Sequence, residues 1–332
     1  MIKIGSHTLS HGLMLGPMAG YSDKAMRKIC REWGAEYTVT EMVSAKAVCF
    51  MDKKTFPLAE LGTEETPAAI QLFGREPDII ARAAQILLER AASGRGAMPV
   101  AVDINMGCPV PKIVNNGEGS ALMKDPALIE KIVRAVTAAI PLPVTVKLRI
   151  GFDSGHLNAP EAAMAAEAGG ASLICVHGRT RAQMYSGEVD VTQIKRVCDS
   201  VKIPVIANGD INSPSDALSL LSRTGADGVM IARGAVGNPF IFREIAAFLD
   251  GVAFIPPTVE ERISVALLQL SAAIEEKGER IAVSESRKQL ALYVKGIRGS
   301  GALRAKINTA STKADVQNAF YEFLNQYNAN NS

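Results

Sequence analysis

The chain has 332 residues, 48% of them hydrophobic, and a formal net charge of +2. That composition excludes a disordered chain, and its apolar runs are short, strand-like pieces that exclude a membrane-spanning protein. The N-terminus lacks the apolar region of a secretory signal, and the cysteines at 30, 49, 108, 175 and 198 form no CxxC pair. A cytoplasmic protein with reduced thiols, and with neither a disulfide framework nor a metal site, is expected.

In chain order, Ile2–Leu9 reads as a small hairpin that closes the bottom of a barrel. Eight short apolar segments then recur: Leu13–Leu15, Tyr37–Thr40, Ala68–Leu72, Val100–Ile104, Val144–Leu148, Leu173–Val176, Val205–Ala207 and Gly228–Ile231. Each precedes a helix-like stretch, with start signals at Ser22-Asp23, Asp125-Pro126 and Ser213-Pro214. The segments are nearly continuous apolar runs, as parallel strands covered on both faces should be. Eight such units close an α/β (β/α)8 TIM barrel, expected here over 1–255.

Ile255-Pro256-Pro257 marks a hinge, and 256–332 is expected to be a second, all-helical domain with helices over Val259–Lys277, Ser286–Ile297, Leu303–Ala310 and Lys313–Tyr327. The charge divides unevenly. Residues 1–255 balance 26 basic against 26 acidic side chains, so the excess lies in the tail. From Arg287 to Lys306 stand Arg287, Lys288, Lys295, Arg298, Arg304 and Lys306 with no acid among them. Such a run is either a solvated helix face or a surface for a polyanion.

In this fold, chemistry sits at the C-terminal ends of the strands. The most informative stretch is Asp103-Ile104-Asn105-Met106-Gly107-Cys108-Pro109. Its strand is expected to carry Val100, Val102 and Ile104 into a packed interior and to leave Asn105 and Cys108 at the mouth, where Gly107 and Pro109 break the ladder. Cys108 is a candidate proton donor or nucleophile, set against the alternative of a buried structural cysteine.

The other strand ends carry Pro17-Met18-Ala19-Gly20, Glu41, Gln71, Lys147 with Arg149, His177-Gly178-Arg179, Asn208-Gly209-Asp210 and Ala232-Arg233-Gly234. Gly209 and Gly234 allow close backbone approach, Arg233 is a planar cation, and a helix over Phe240–Leu249 comes after Asn238-Pro239. Together they predict a phosphate site on a cofactor or substrate. Lys147 suits an anionic ring, and Gln71 suits the edge of a heterocycle.

Five of these stretches, in order, resemble signatures of the tRNA-dihydrouridine synthases: Pro17–Asp23, Asp103–Pro109, Val144–Arg149, Val176–Arg181 and Ile206–Ile211. Arg287-Lys288 with Tyr293-Val294-Lys295-Gly296 is similar to the tail of the family's bacterial B-type branch, although Gln289 stands where that branch often has His.

The resemblance implies a flavoenzyme that reduces the C5–C6 bond of selected uridines in tRNA, with FMN as cofactor and NADPH (or NADH) as reductant. It implies that Pro17, Met18, Ala19, Gln71, Lys147, His177, Asn208, Gly209, Asp210, Ala232 and Arg233 hold FMN, and that Asn105 and Arg179 meet the uracil. It gives Cys108 the proton for C5, with Lys147 and His177 assisting and Cys108 free to move on its loop. Arg287, Lys288 and Lys295 would meet tRNA phosphates. A small-pyrimidine oxidoreductase and a non-catalytic tRNA-binding factor remain the alternatives.

Overall fold

The eight apolar segments close on themselves. In the computed structural model, which describes residues 1–331, they form a parallel barrel in which every strand pairs with its sequence neighbours and the last pairs with the first. Two further strands, β1 (Ile2–Ile4) and β2 (His7–Leu9), form the antiparallel hairpin expected at the N-terminus. The barrel strands are β3 (Leu13–Leu15), β4 (Tyr37–Ser44), β5 (Ala68–Phe73), β6 (Ala101–Asn105), β7 (Val144–Arg149), β8 (Leu173–His177), β9 (Val205–Asn208) and β10 (Gly228–Ile231).

Around the barrel lie α1 (Lys24–Glu32), α2 (Ala45–Cys49), α3 (Phe56–Ala59), α4 (Pro77–Ala92), α5 (Pro111–Val114), α6 (Pro126–Ala139), α7 (Ala159–Ala168), α8 (Val191–Ser200), α9 (Pro214–Thr224) and α10 (Ile241–Leu249). The start signals act as caps. Asp23 accepts from the Met26 amide, Asp125 from Leu128 and Ser213 from Asp216, and proline occupies the first turn of α6 and α9.

Side-chain alternation splits each strand between two environments. Val102 and Ile104 of β6 pack outward against the helices, together with Ile80, Ile129 and Ile132, while Ala101, Asp103 and Asn105 point into the barrel. The expectation that Val102 and Ile104 fill the interior is therefore corrected. They belong to the layer between sheet and helices, where each fully buried side chain of this size contributes about 1.5–3 kcal/mol.

The inward row has a gradient of its own. Low in the barrel Met14, Tyr37, Ala69, Leu173, Ile206 and Met230 pack on Ile2, Ile4 and Leu9, so the hairpin plugs the bottom. Higher up, the inward positions become polar.

The tail consists of α11 (Val259–Lys277), α12 (Glu279–Leu290), α13 (Ser300–Thr309) and α14 (Lys313–Asn331). Thr258 and Glu261 form a reciprocal cap at the start of α11. The predicted helix over Ser286–Ile297 is displaced. Gly278, in the left-handed region at φ 77°, turns the chain so that α12 starts at Glu279 with no intervening loop, and a 3-10 turn over Ala291–Val294 comes after it.

The tail has its own core, including Ile263, Leu270, Leu290, Val316 and Phe320, but that core also takes in Ile29 and Phe240 from the barrel. Phe240 stacks edge-on with Trp33 and Tyr293 at centroid distances of 4.4 and 6.3 Å. Lys277 Nζ lies 2.7 Å from the carboxylate of Asp23, across the same junction.

Candidate active site

At the upper, C-terminal end of the barrel, a chain of hydrogen bonds runs from the floor of the mouth to the Cys108 loop. Thr145 Oγ1 donates to Asp103 Oδ1 at 2.5 Å, and Gln71 Nε2 donates to Asp103 Oδ2 at 2.7 Å. Asn105 Nδ2 donates to Gln71 Oε1 at 2.8 Å, while Asn105 Oδ1 accepts the amides of Gly107 and Cys108 at 3.2 and 2.9 Å. Asp103, Gln71 and Asn105 are all buried.

The Cys108 loop is tied more firmly than its sequence suggests. Arg149 Nε donates to the Gly107 carbonyl at 2.7 Å, and the Ser120 hydroxyl donates to the Cys108 carbonyl at 2.8 Å. These two bonds hold the loop backbone at Gly107 and Cys108. Burial pushes the Cys108 thiol above its ordinary value, an effect only partly offset by the Val110 amide and by the Arg149 and Lys147 cations. At neutral pH the thiol keeps its proton.

Lys147 stands on the next strand with Nζ 3.1 Å from Asn208 Oδ1, and Asn208 is itself fixed by donating to the Met230 carbonyl at 2.7 Å. Desolvation lowers the Lys147 ammonium, the neighbouring Arg149 adding to the effect. His177 is 8% exposed, and among the described residues its ring makes no hydrogen bond. Burial, reinforced by the cations of Lys147, Arg149, Arg179 and Arg233, pushes its pKa down to about 2. The imidazole is therefore neutral, with one nitrogen able to donate and the other to accept.

Between β9 and β10 sits a compact ionic cluster. Asp210 accepts from Arg179 through both carboxylate oxygens, one at 2.9 Å, and from Arg233 at 2.9 Å. The bond from Arg179, which is also its nearest cation, holds the Asp210 carboxyl below the usual range. Gly209, at φ 133°, and Asp210, at φ 53°, turn their backbone here, and a Cβ on Gly209 would lie 3.2 Å from the His177 ring. Among the described residues the amides of Gly209, Asp210 and Gly234 donate to no acceptor of the chain.

The helix expected after Asn238-Pro239 is α10, but a 3-10 turn over Arg233–Ala235 comes first. A Cβ on Gly237 would lie 2.5 Å from Leu292, so the approach to α10 is packed against the tail. The exposed cation and the unbonded amides at this end of the barrel are therefore those of Arg233, Gly234 and Gly209. Ala232 leads into the same turn.

Next to β10 on the rim, Pro17, Met18 and Ala19 come after β3, the strand that pairs with β10. The Met18 amide donates to Ser22 Oγ at 2.8 Å, and the Gly20 amide donates to Glu41. The tail reaches this rim, with Lys288 Nζ 4.3 Å from the centroid of the Tyr21 ring and Gln289 Nε2 donating to the Tyr21 carbonyl at 3.2 Å.

Lys288 and Lys295 are exposed, whereas Arg287 turns inward and donates twice to the Ala310 carbonyl, once at 2.9 Å. Gln289 is interior and also accepts from Gln269 at 2.9 Å, so its departure from the B-type pattern lies at the barrel–tail junction.

Motif spacing alone gives Asp103, Thr145 and Arg149 no role, yet a signal is there. Thr145, Lys147 and Arg149 alternate on one strand and so share the inward face, and Asp103 shares it with Asn105. Tyr185, which carries no sequence signal, is exposed at the mouth with the Arg149 and Arg233 guanidinium carbons 5.8 and 5.5 Å from its ring centroid.

A parallel eight-stranded barrel with its inward polar groups gathered at the C-terminal mouth defines an enzyme of the (β/α)8 class. Among solved structures, the old yellow enzyme homologue from Zymomonas mobilis shares that fold, with a TM-score of 0.51 at 13% identity over 79% of this chain and 94% of that one.

The sequence profile described as Dihydrouridine synthase (Dus) matches residues 14–328. A probable tRNA-dihydrouridine synthase of Rickettsia conorii is 39% identical over 325 residues, 97% of this chain and 96% of that protein. The tRNA-dihydrouridine synthase B of Pseudomonas aeruginosa is 37% identical over 330 residues, 98% of this chain and 97% of that protein. The chain belongs to the tRNA-dihydrouridine synthase family, as its five motifs led one to expect.

Proposed function

We propose that the protein reduces the C5–C6 bond of specific uridines in tRNA to 5,6-dihydrouridine, with FMN held in the barrel mouth and NADPH or NADH as the reductant. The observation that carries this reading is a protonated thiol, Cys108, held at the C-terminal mouth of a barrel in a chain that matches the dihydrouridine synthase family from residue 14 to 328. When bound, the flavin supplies the hydride that reduces C6 of the uracil.

The residues present fit such a group. Arg233 and the unbonded amides of Gly209 and Gly234 suit its phosphate, and the unpartnered His177 ring and Lys147 suit a ring that gains negative charge. Asn208, at the end of β9, and Gln71, fully buried on β5, complete the set assigned to the flavin. Pro17, Met18 and Ala19, after the neighbouring strand β3, flank the turn that Ala232 opens and that carries Arg233. Asp210 pairs with two guanidinium groups: Arg233, which is exposed, is the one assigned to the phosphate, while Arg179 is buried and also donates to the Ser186 and Gly187 carbonyls.

Cys108 holds a proton at Sγ and delivers it to C5, a task for which a thiol raised by burial is in the right state. Asn105 meets a carbonyl on the uracil edge through its remaining amide hydrogen. The uridine must leave its stack to enter the mouth, at a cost of a few kcal/mol. Phosphate pairing by Lys288 and Lys295 offsets that cost, which makes 256–332 the tRNA-binding unit and 1–255 the catalytic one. Among the described residues no helix is long and apolar enough to cross a membrane. We place the enzyme in the cytoplasm with its tRNA.

The experiment is direct. The purified protein should be yellow and release FMN, and Arg233→Ala should lose much of it. Incubated with NADPH and uridine-containing tRNA, it should produce dihydrouridine. A folded, colourless protein that takes up no added FMN would remove the flavin reading.

A further inference from the structure

We infer that Asp103, which touches neither uracil nor flavin, is a positioning residue that fixes which atoms the Gln71 and Asn105 amides turn toward the barrel mouth. The inference rests on the proposed function for what the mouth binds. A side-chain amide can turn over with little change of shape, exchanging its donor for its acceptor, whereas a carboxylate can only accept. Asp103 is 4% exposed and accepts on both sides, from Thr145 on Oδ1 and from Gln71 on Oδ2.

The carboxylate sets the direction of every later bond. With Nε2 committed to Asp103, Gln71 must turn Oε1 to Asn105, and Asn105 must meet it with Nδ2. Asn105 Oδ1 is then left facing the loop, where it accepts the amides of Gly107 and Cys108. Reversal of the chain would set the Asn105 NH2 against those two amide hydrogens, donors facing donors, and would release the loop that carries the thiol.

This order also limits what a ligand can meet. Asn105 retains only one free hydrogen on Nδ2, so it can bind a ring carbonyl and not a ring N–H. Gln71 retains one hydrogen and one lone pair, in fixed positions. The carboxylate thus selects a carbonyl-bearing edge of the pyrimidine from two bonds away, and it holds Cys108 by the same chain.

The test uses near-isosteric changes in the holoenzyme. Thr145→Val alone leaves the carboxylate to orient Gln71. Asp103→Asn alone can turn its new NH2 toward the Thr145 hydroxyl, which accepts, so the chain keeps its direction. The two together remove the Thr145 hydroxyl, so that of the two present partners of Asp103 only Gln71, through Oε1, is left to accept from that NH2, and the chain reverses.

The double variant should therefore lose roughly 10²-fold in kcat for uridine reduction by pre-reduced enzyme, the scale of about 1 Å of misplacement, while each single variant keeps most of the rate. Asp103→Asn with Thr145→Ser should restore it. A double variant that folds, holds flavin and matches the single variants would overturn the inference.

A second measurement needs no variant. In 15N-labelled protein, one side-chain amide proton of Gln71 and one of Asn105 should exchange slowly with solvent. Fast exchange of all four would overturn the relay. Because exchange can also be read on flavin-free protein, loss of the flavin reading and loss of the relay are separate outcomes.

Discussion

Arg149 Nε donates to the carbonyl of Gly107, the residue before Cys108, at 2.7 Å, so a strand β7 side chain holds the loop that begins after strand β6. The same guanidinium reaches the Thr180 and Met184 carbonyls at 2.8 and 2.9 Å through Nη1. One buried cation thereby ties the thiol loop to the loop after β8. Desolvation lowers the Arg149 guanidinium to about 10, which still leaves it charged at neutral pH.

Replacing Arg149 by Met keeps the stem and removes the hydrogen bonds to these carbonyls. Left without its donor, the buried Thr180 carbonyl should cost about 1–3 kcal/mol, the half-buried Gly107 carbonyl less, and the displaced Cys108 should lower uridine reduction by about 10²-fold. Thermal unfolding reads the first effect and single-turnover reduction of tRNA the second. An active variant with an unchanged melting midpoint would show that the tie does nothing.

Cys108→Ala should keep its flavin and still accept electrons from NADPH, while uridine reduction falls by roughly 10²–10⁴, the range for loss of a general acid. Because burial raises the thiol above its ordinary value, the parent rate should be flat through neutrality and fall only on the alkaline side, as the proton is lost. A rate that rises with pH there would assign the thiolate, not the thiol, to the reaction.

His177 gives a pH test of stability with a definite sign. Its folded value of about 2 lies far below the ordinary 6.5, so below pH 6.5 the unfolded chain takes up a proton that the folded chain refuses. Stability should fall on acidification from about pH 6.5 to pH 5, by up to about 1.4 kcal/mol per pH unit, before the carboxylates titrate. In His177→Gln this slope should flatten. Denaturant midpoints measured across that window, and unchanged by the substitution, would place the ring in contact with water.

The strands and their helices were legible because parallel strands between two apolar layers write themselves as short apolar runs, and each matching segment formed within a few residues. The mouth was legible as a set of residues but not as a network. Sequence order places Gln71, Asp103 and Thr145 far apart, and only the parallel pairing of β5, β6 and β7 in register brings them onto one inward row. Charge in the tail misled in one respect. A run of cations without acids does not reveal that Arg287 turns inward to cap Ala310 or that Lys306 pairs with Glu322.

That last distinction separates two kinds of variant in one short stretch. Lys288 and Lys295 are exposed, and Lys288 lies against Tyr21 at the edge of the mouth. Their replacement by Ala should weaken tRNA binding and reduce the log–log salt slope by about 0.7 to 0.9 for each phosphate no longer neutralised, with NADPH oxidation in the absence of tRNA unchanged. Arg287→Ala should leave that slope alone. Its loss uncovers the Ala310 carbonyl at the end of α13, so the effect should appear in thermal stability, at about 1–3 kcal/mol. Binding isotherms at several salt concentrations distinguish the two. If Arg287→Ala flattens the salt dependence while Lys288→Ala and Lys295→Ala do not, RNA lies on the Ala310 side of the tail and the rim beside Tyr21 is not the route by which the uridine enters.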